Sequence, residues 1–424
     1  MKDKFLFNYD FNLLRNFNIR PLNKFLETQI DDYKSLLKKH KTNNGYHTII
    51  SVLNEQISNG FNDMEIESIL FKSLVYPNNE KLFYLDLNTN LDVILAMELL
   101  LEKYPEIINR KLTKIINSEE DLISIRQEED KVIFLFKEGV GELGSKKKEK
   151  CNFYVPCILD FKQKHMQIRF NQQLLRSCRI KGKDLLKKME IFIHNLFNTS
   201  IKGNELRLKT IKGNEAKIHK GLYTLFKKES SRSLDLIRCK VKERESTLEK
   251  EWTEESLRTE ISKYLQKELR VLDPGPYVNR VLSVKYQDTA KNMEEVEFIN
   301  DGGYIFGFTF VDRKITKSAN KNEKRKPVYY SKIYWDLKDT IEDYEEVVEL
   351  AVYWKFCKDK FNKKITKLES PENLSFVEVC FKETYNVLEI HYYVNYNKEY
   401  NLIKSLDERM YRENYVLNKI KEVI

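Results

Sequence analysis

Long apolar runs are missing from this chain. No segment approaches the roughly 20 uninterrupted apolar residues that a bilayer-spanning helix needs, and the stretch from Leu91 to Leu101 is interrupted by Asp92 and Glu98. The first residues, Met1 to Phe7, carry charge but neither an apolar run of leader length nor a small-residue cleavage site, so a secretory signal is not expected there. Cysteine is sparse. Cys151, Cys157, Cys178, Cys239, Cys357 and Cys380 are scattered through 424 residues without the density of a disulfide framework, and free thiols in a reducing, cytoplasmic compartment are expected. With 13 Gly and 8 Pro, collagen-like and low-complexity chains are excluded. The chain also has no Walker A loop, no GxGxxG turn after a strand, no GxSxG elbow and no HExxH helix, which argues against ATP-dependent chemistry and the commonest hydrolase sites.

What is present is the balance of a folded chain: 41% hydrophobic residues, 33% charged residues, and 24 Tyr and 24 Phe to fill cores or offer flat faces for stacking. A chain of this length exceeds what one core supports, so more than one domain is expected. The abundance of Lys, Asn, Ile and Tyr points to AT-rich coding, as in a bacterium or one of its phages or plasmids.

The pattern of apolar spacing predicts a mixed α+β fold. Leu22 to Lys39, Tyr46 to Ser58, Asp63 to Leu74 and Leu91 to Tyr104 show helical spacing, with one short strand near Leu82 to Leu87. From Lys131 the period shortens to two, giving strands Val132 to Phe136, Phe153 to Phe161 and Met166 to Phe170, followed by a helix from Lys183 to Phe197. Beyond it, Ile201-Lys-Gly-Asn-Glu recurs as Ile211-Lys-Gly-Asn-Glu and reads as two similar turns of a small meander. Further strands are expected at Leu234 to Val241, Val278 to Tyr286, Tyr304 to Val311, Val328 to Trp335, Phe376 to Phe381 and Val387 to Tyr393, with helices at Thr253 to Arg270, Asp339 to Asn362 and Glu399 to Val423. These elements suggest a helical N-terminal domain over 1–120, a basic α+β domain over 121–272 and a C-terminal α+β domain over 273–424, built from antiparallel hairpins and long helices. The hairpin Val155 to Phe170 resembles in outline the hairpin Val377 to Tyr392.

Positive charge is regional. Residues 146–228 hold 21 Lys and Arg against 6 Asp and Glu, a net charge of +15, whereas the remaining chain holds 53 against 59. Within that region Lys162, Lys164, Arg169, Arg176, Arg179, Lys181, Lys183, Lys187 and Lys188 face the single acid Asp184. Such a surface suits a polyanion, because neutralising phosphates releases their counterions. A second basic feature, the expected tip of a hairpin over 312–327, carries Arg313, Lys314, Lys317, Lys321, Lys324, Arg325 and Lys326, with Tyr329 and Tyr330 beside it as possible stacking residues.

Catalytic constellations are thin. Asp160-Phe161-Lys162 after the run Val155 to Leu159 resembles the last element of the PD-(D/E)xK nucleases, with Glu138 or Glu142 as the only acids on a preceding strand. That resemblance implies catalytic roles for Asp160 and Lys162 and a Mg2+ requirement, although the same residues suit a hairpin turn. Cys151, Cys157, His165 and Cys178 lack zinc-ligand spacing. His391 follows Glu389 on one strand face with no third catalytic member, and His194 sits among Ile191, Ile193 and Leu196. The expectation is a non-enzymatic nucleic-acid-binding protein, DNA or RNA, acting as a subunit of a bacterial phage-defence or mobile-element system without a cofactor. The alternatives are a divalent-metal nuclease and an assembly protein that docks an acidic protein.

Overall fold

Asn and Asp side chains start most of the helices in the first part of the chain. The computed structural model describes residues 15–17, 19–112, 121–144, 149–201, 204–246, 254–312, 316–321, 324–361, 369–393 and 406–424. Four helices come first: α1 (Ile19–Glu27), α2 (Tyr33–Lys39), α3 (Gly45–Ser58) and α4 (Asp63–Val75). Asn44 accepts the amide of Tyr46, and Asn62 that of Met64, each at 3.0 Å. Each such cap satisfies an amide that the helix leaves without a partner and contributes about 1 kcal/mol. Next come β1 (Lys81–Thr89), α5 (Val93–Lys103) capped by Asp92, β2 (Leu122–Glu128), β3 (Lys131–Leu143), β4 (Glu149–Asp160) and β5 (His165–Phe170). They are followed by α6 (Gln172–Ser177), α7 (Gly182–Phe197), β6 (Ser200–Ile201), β7 (Asn204–Glu205) and β8 (Leu208–Ile211).

The chain divides into two compact units, residues 1–214 with 384–414, and residues 215–383 with 415–424. In the first unit the sheet runs β1-β5-β4-β3-β2. Both of its faces are covered. Val132, Phe134 and Phe136 of β3 pack with α5, α6 and α7, while Ile133 and Leu135 pack with the α1–α4 layer. Because β1 lies inside this sheet, the expected helical domain of 1–120 does not stand apart from the strands of 121–214.

The second unit opens with α8 (Glu215–Ser246), followed by α9 (Glu254–Lys267), α10 (Gly275–Lys291), α11 (Glu295–Asn300), β9 (Gly303–Asp312) and β10 (Thr316–Lys321). After a 3-10 turn at Val328–Tyr330 come α12 (Lys332–Tyr344), β11 (Val347–Cys357) and β12 (Leu374–Thr384). Within this unit the strand order is β10-β9-β11-β12, antiparallel where the register is described. The chain then returns to the first unit with β13 (Val387–Tyr392), and α13 (Leu406–Lys421) has its residues to Asn414 in the first unit and the rest in the second. β13 pairs with Lys81 to Tyr84 of β1, and β8 pairs with Asp86 to Thr89 on the same edge.

The α+β class holds, and the expected hairpin of 155–170 is β4-β5. Four expectations are corrected. Leu234 to Val241 lies within α8, where Leu234, Ile237 and Val241 are buried at helical spacing, and Val278 to Tyr286 lies within α10, where Val278 and Leu282 are buried four apart. Val328 to Trp335 forms the 3-10 turn and the start of α12, so the partner of β9 is β10, inside the segment expected to be the hairpin tip. The helix expected over 339–362 ends at Tyr344, and the β-branched and aromatic run of β11 follows. Short apolar runs fit either period, and burial on one side decided between them. Residues 202–203, 313–315 and 394–405, on which an expected turn, the expected hairpin tip and the start of the expected last helix fall, lie outside the described residues.

Candidate nucleic-acid interface

α6 reaches its place because β3 has glycine beneath it. A Cβ at Gly141 would lie 3.1 Å from both Cys178 Sγ and Leu174 Cδ2, and Ser177 Oγ accepts the amide of Glu142 at 2.8 Å. Asn171 caps α6 by accepting the amides of Gln173 and Leu174 at 3.0 Å. The helix closes with the Ile180 amide bonded to Leu175 O at 3.1 Å and that of Arg179 to Arg176 O at 3.0 Å, which places Arg179 in the left-handed region at φ 57°. α7 then begins at Gly182, where an added Cβ would touch the rings of Phe83 and Tyr385 at 3.4 Å.

This corner turns charge outward. Leu185, Leu186 and Met189 face the core, while Arg176, Arg179, Lys181, Lys183 and Lys187 are exposed. Lys183 and Lys187 stand four residues apart on one helical face. None of these five cations has an acidic partner among the described residues. Lys181 also gives the N-terminus of α7 no side-chain cap, so the positive end of the helix dipole adds to the same patch. Lys188 differs: it pairs with Glu138 at 2.8 Å and Asp121 at 3.1 Å. Burial opposes its charge, yet the hydrogen bonds from Glu138 and Asp121 prevail and hold the ammonium above its ordinary pKa.

The other expected contacts are dispersed. Lys162 and Lys164 are exposed on the β4-β5 turn, Lys162 3.6 Å from Asp130, at the opposite end of β5 from α6. Six strand residues span about 20 Å, so the nine cations form no single patch. In the second unit, Arg313 and Lys314 lie outside the described residues. Lys324 is exposed, Arg325 pairs with the buried Glu378, and Lys326 pairs with Glu295. Tyr329 is fully buried against Phe298, and the hydroxyl of Tyr330 donates to Met293 O at 3.0 Å, which removes Tyr329 as a stacking residue.

Arg169 is a correction. Its side chain is buried, ion-paired with Glu413 of α13 and set with its guanidinium 4.8 Å from the ring centre of Tyr76. Glu413 also accepts from Arg409 Nε at 2.6 Å, and Arg409 lies over Tyr392 at 4.4 Å. On β5, Met166, Ile168 and Phe170 face one core while His165, Gln167 and Arg169 face the other side and are buried as well. The polar face of this strand is therefore covered from a segment far away in sequence.

The nuclease constellation does not assemble. Asp160 is 3% exposed and its Oδ1 accepts the amide of Gln163 at 2.7 Å, the expected turn role. Lys131 stands opposite Asp160 and Lys137 opposite Tyr154, so Glu138 lies about 20 Å along the ladder and Glu142 farther still. The zinc grouping fails too: Cys151 and Cys157 face the core of α5–α7, whereas His165 points to the other face. Glu389 is paired with Lys81 at 2.6 Å, and His391 packs on Tyr393 at 4.2 Å. His194 Nε2 accepts the amide of Thr210 at 3.1 Å, and burial holds its pKa below the ordinary value. The second unit has a cavity of about 290 Å³ lined by Arg238, Lys242, Lys285, Glu254 and Tyr286, at the small end for a ligand pocket, with Tyr286 donating to Glu254 at 2.5 Å. The chain matches no protein-family model, no curated protein and no solved structure.

Proposed function

We propose that this is a nucleic-acid-binding protein that grips the phosphate backbone with the α6–α7 corner. The observation that carries the reading is the concentration of five exposed cations without acidic partners, Arg176 to Lys187, beside an uncapped helix N-terminus. Elsewhere Arg169, Lys188, Arg325 and Lys326 are neutralised by acids of the chain itself. Backbone contacts of this kind give affinity without sequence readout.

Titration of labelled single- and double-stranded DNA and RNA across a salt series tests it. Five phosphate contacts on duplex DNA give a slope of log affinity against log salt near −4.5, so raising salt from about 50 to 200 mM weakens binding roughly 500-fold. Reversing Arg176, Arg179, Lys183 and Lys187 to Glu flattens that slope toward zero. Absence of binding near physiological salt overturns the proposal and turns the search to an acidic protein partner.

A further inference from the structure

α8 begins with Glu215, and one turn later, on the same face, comes His219. Glu383, the penultimate residue of β12, meets them: one ligand atom from each of the three lies within 4.8 Å of the others. His219 is only 5% exposed, and its Nε2 has no hydrogen-bond partner. A buried imidazole nitrogen left without a partner is costly. Its other nitrogen, Nδ1, faces Glu346 with Oε2 at 4.0 Å. A proton on Nδ1, held toward that carboxylate, leaves the Nε2 lone pair available.

We propose that Glu215, His219 and Glu383 bind a divalent transition-metal cation, with Glu346 orienting the histidine from behind. A carboxylate behind a metal-bound imidazole is the usual arrangement and fixes its tautomer. One imidazole nitrogen and two carboxylate oxygens form a mixed donor set that favours Zn2+ and Mn2+ over the oxygen-seeking Mg2+ and Ca2+. Ligand bonds of about 2.0–2.2 Å require the donor atoms to draw to roughly 3.0–3.5 Å from one another. The exposed side chain of Glu215 can move to close that gap. Three protein ligands leave further coordination positions for water.

Mn2+ is the first probe, because the exposed thiol of Cys239 attracts Zn2+ but has little affinity for Mn2+. Electron paramagnetic resonance on the full chain is expected to show one bound Mn2+, displaced by Zn2+ and not by equimolar Mg2+. Glu215→Gln, at an exposed position that leaves the fold intact, weakens Mn2+ binding tenfold or more, and Glu383→Gln does the same. His219→Gln abolishes binding. No bound Mn2+ at millimolar concentration, or an affinity unchanged by Glu215→Gln, overturns the proposal.

Discussion

Replacing Arg169 by Met tests whether its charge serves the interior or a ligand. Arg169 and Arg409 both pair with Glu413 in a buried cluster. Removing one partner of a buried ion pair costs about 3–5 kcal/mol, because the other charge is left uncompensated. In Arg169→Met, Glu413 keeps Arg409 at 2.6 Å, which places the loss near the lower end, about 3 kcal/mol. In Glu413→Gln two buried guanidinium groups lose their common counter-charge, and the loss moves to about 5 kcal/mol. Equilibrium urea unfolding followed by far-UV circular dichroism reads the difference. At a slope of about 3 kcal/mol per molar urea, the midpoints shift down by roughly 1 M and 1.7 M. Hydrogen exchange at the amides of β1 and β5 locates the loss in the first unit. Midpoints unchanged within about 0.2 M, the reverse order, or a fall in nucleic-acid affinity matching that of the Arg176→Glu protein refutes the buried-network reading.

Further outcomes follow from other sites. Gly303→Ala places a Cβ 1.9 Å from Tyr353 O at φ 128° and is expected to destabilise the second unit by more than about 4 kcal/mol, read by the emission of Trp354, which pairs with Gly303 in the β9-β11 register. Asp160→Ala removes a turn acceptor and costs about 1 kcal/mol without changing nucleic-acid binding or adding or removing cleavage, and a metal-dependent cleavage lost in this variant restores the nuclease. His194 has a folded pKa below the ordinary histidine value of about 6.5, so the unfolded chain binds more protons there and stability falls as pH drops through that value; His194→Gln removes that part of the acid dependence in urea titrations at pH 7 and 5. Ellman's reagent at pH 8 is expected to label Cys239 at once, Cys178 more slowly, and Cys151, whose thiol burial pushes up to about 11, only on unfolding.

Much of the first unit was legible because its apolar residues recur at strand and helix spacing. β4, β5 and α7 fall where the spacing of Val155 to Phe197 puts them. The alternation of Met166, Ile168 and Phe170 with His165, Gln167 and Arg169 gives β5 one apolar and one polar face. It gave no sign that α13, more than 200 residues later, covers that face. Arg169 therefore read as a surface cation, while Arg176 to Lys187 stand exposed as expected. In the second unit the helix α8 hid behind β-branched residues that also suit strands, and the acids that neutralise Arg325 and Lys326 come from β12 and α11. Pairing between distant segments leaves little trace in local spacing.

The two-part edge of β1 has a consequence for how the protein is made. Its second half is covered by β8, which lies within the continuous stretch 1–214, but its first half waits for β13, and Arg169 waits for Glu413. Residues 215–383 must be translated in between, which takes roughly 10–30 s at about 5–20 residues per second. For that interval the nascent first unit carries a half-bare strand edge and an unneutralised interior cation. Chaperone engagement is therefore expected to peak just before the ribosome reaches β13, and to end when α13 emerges.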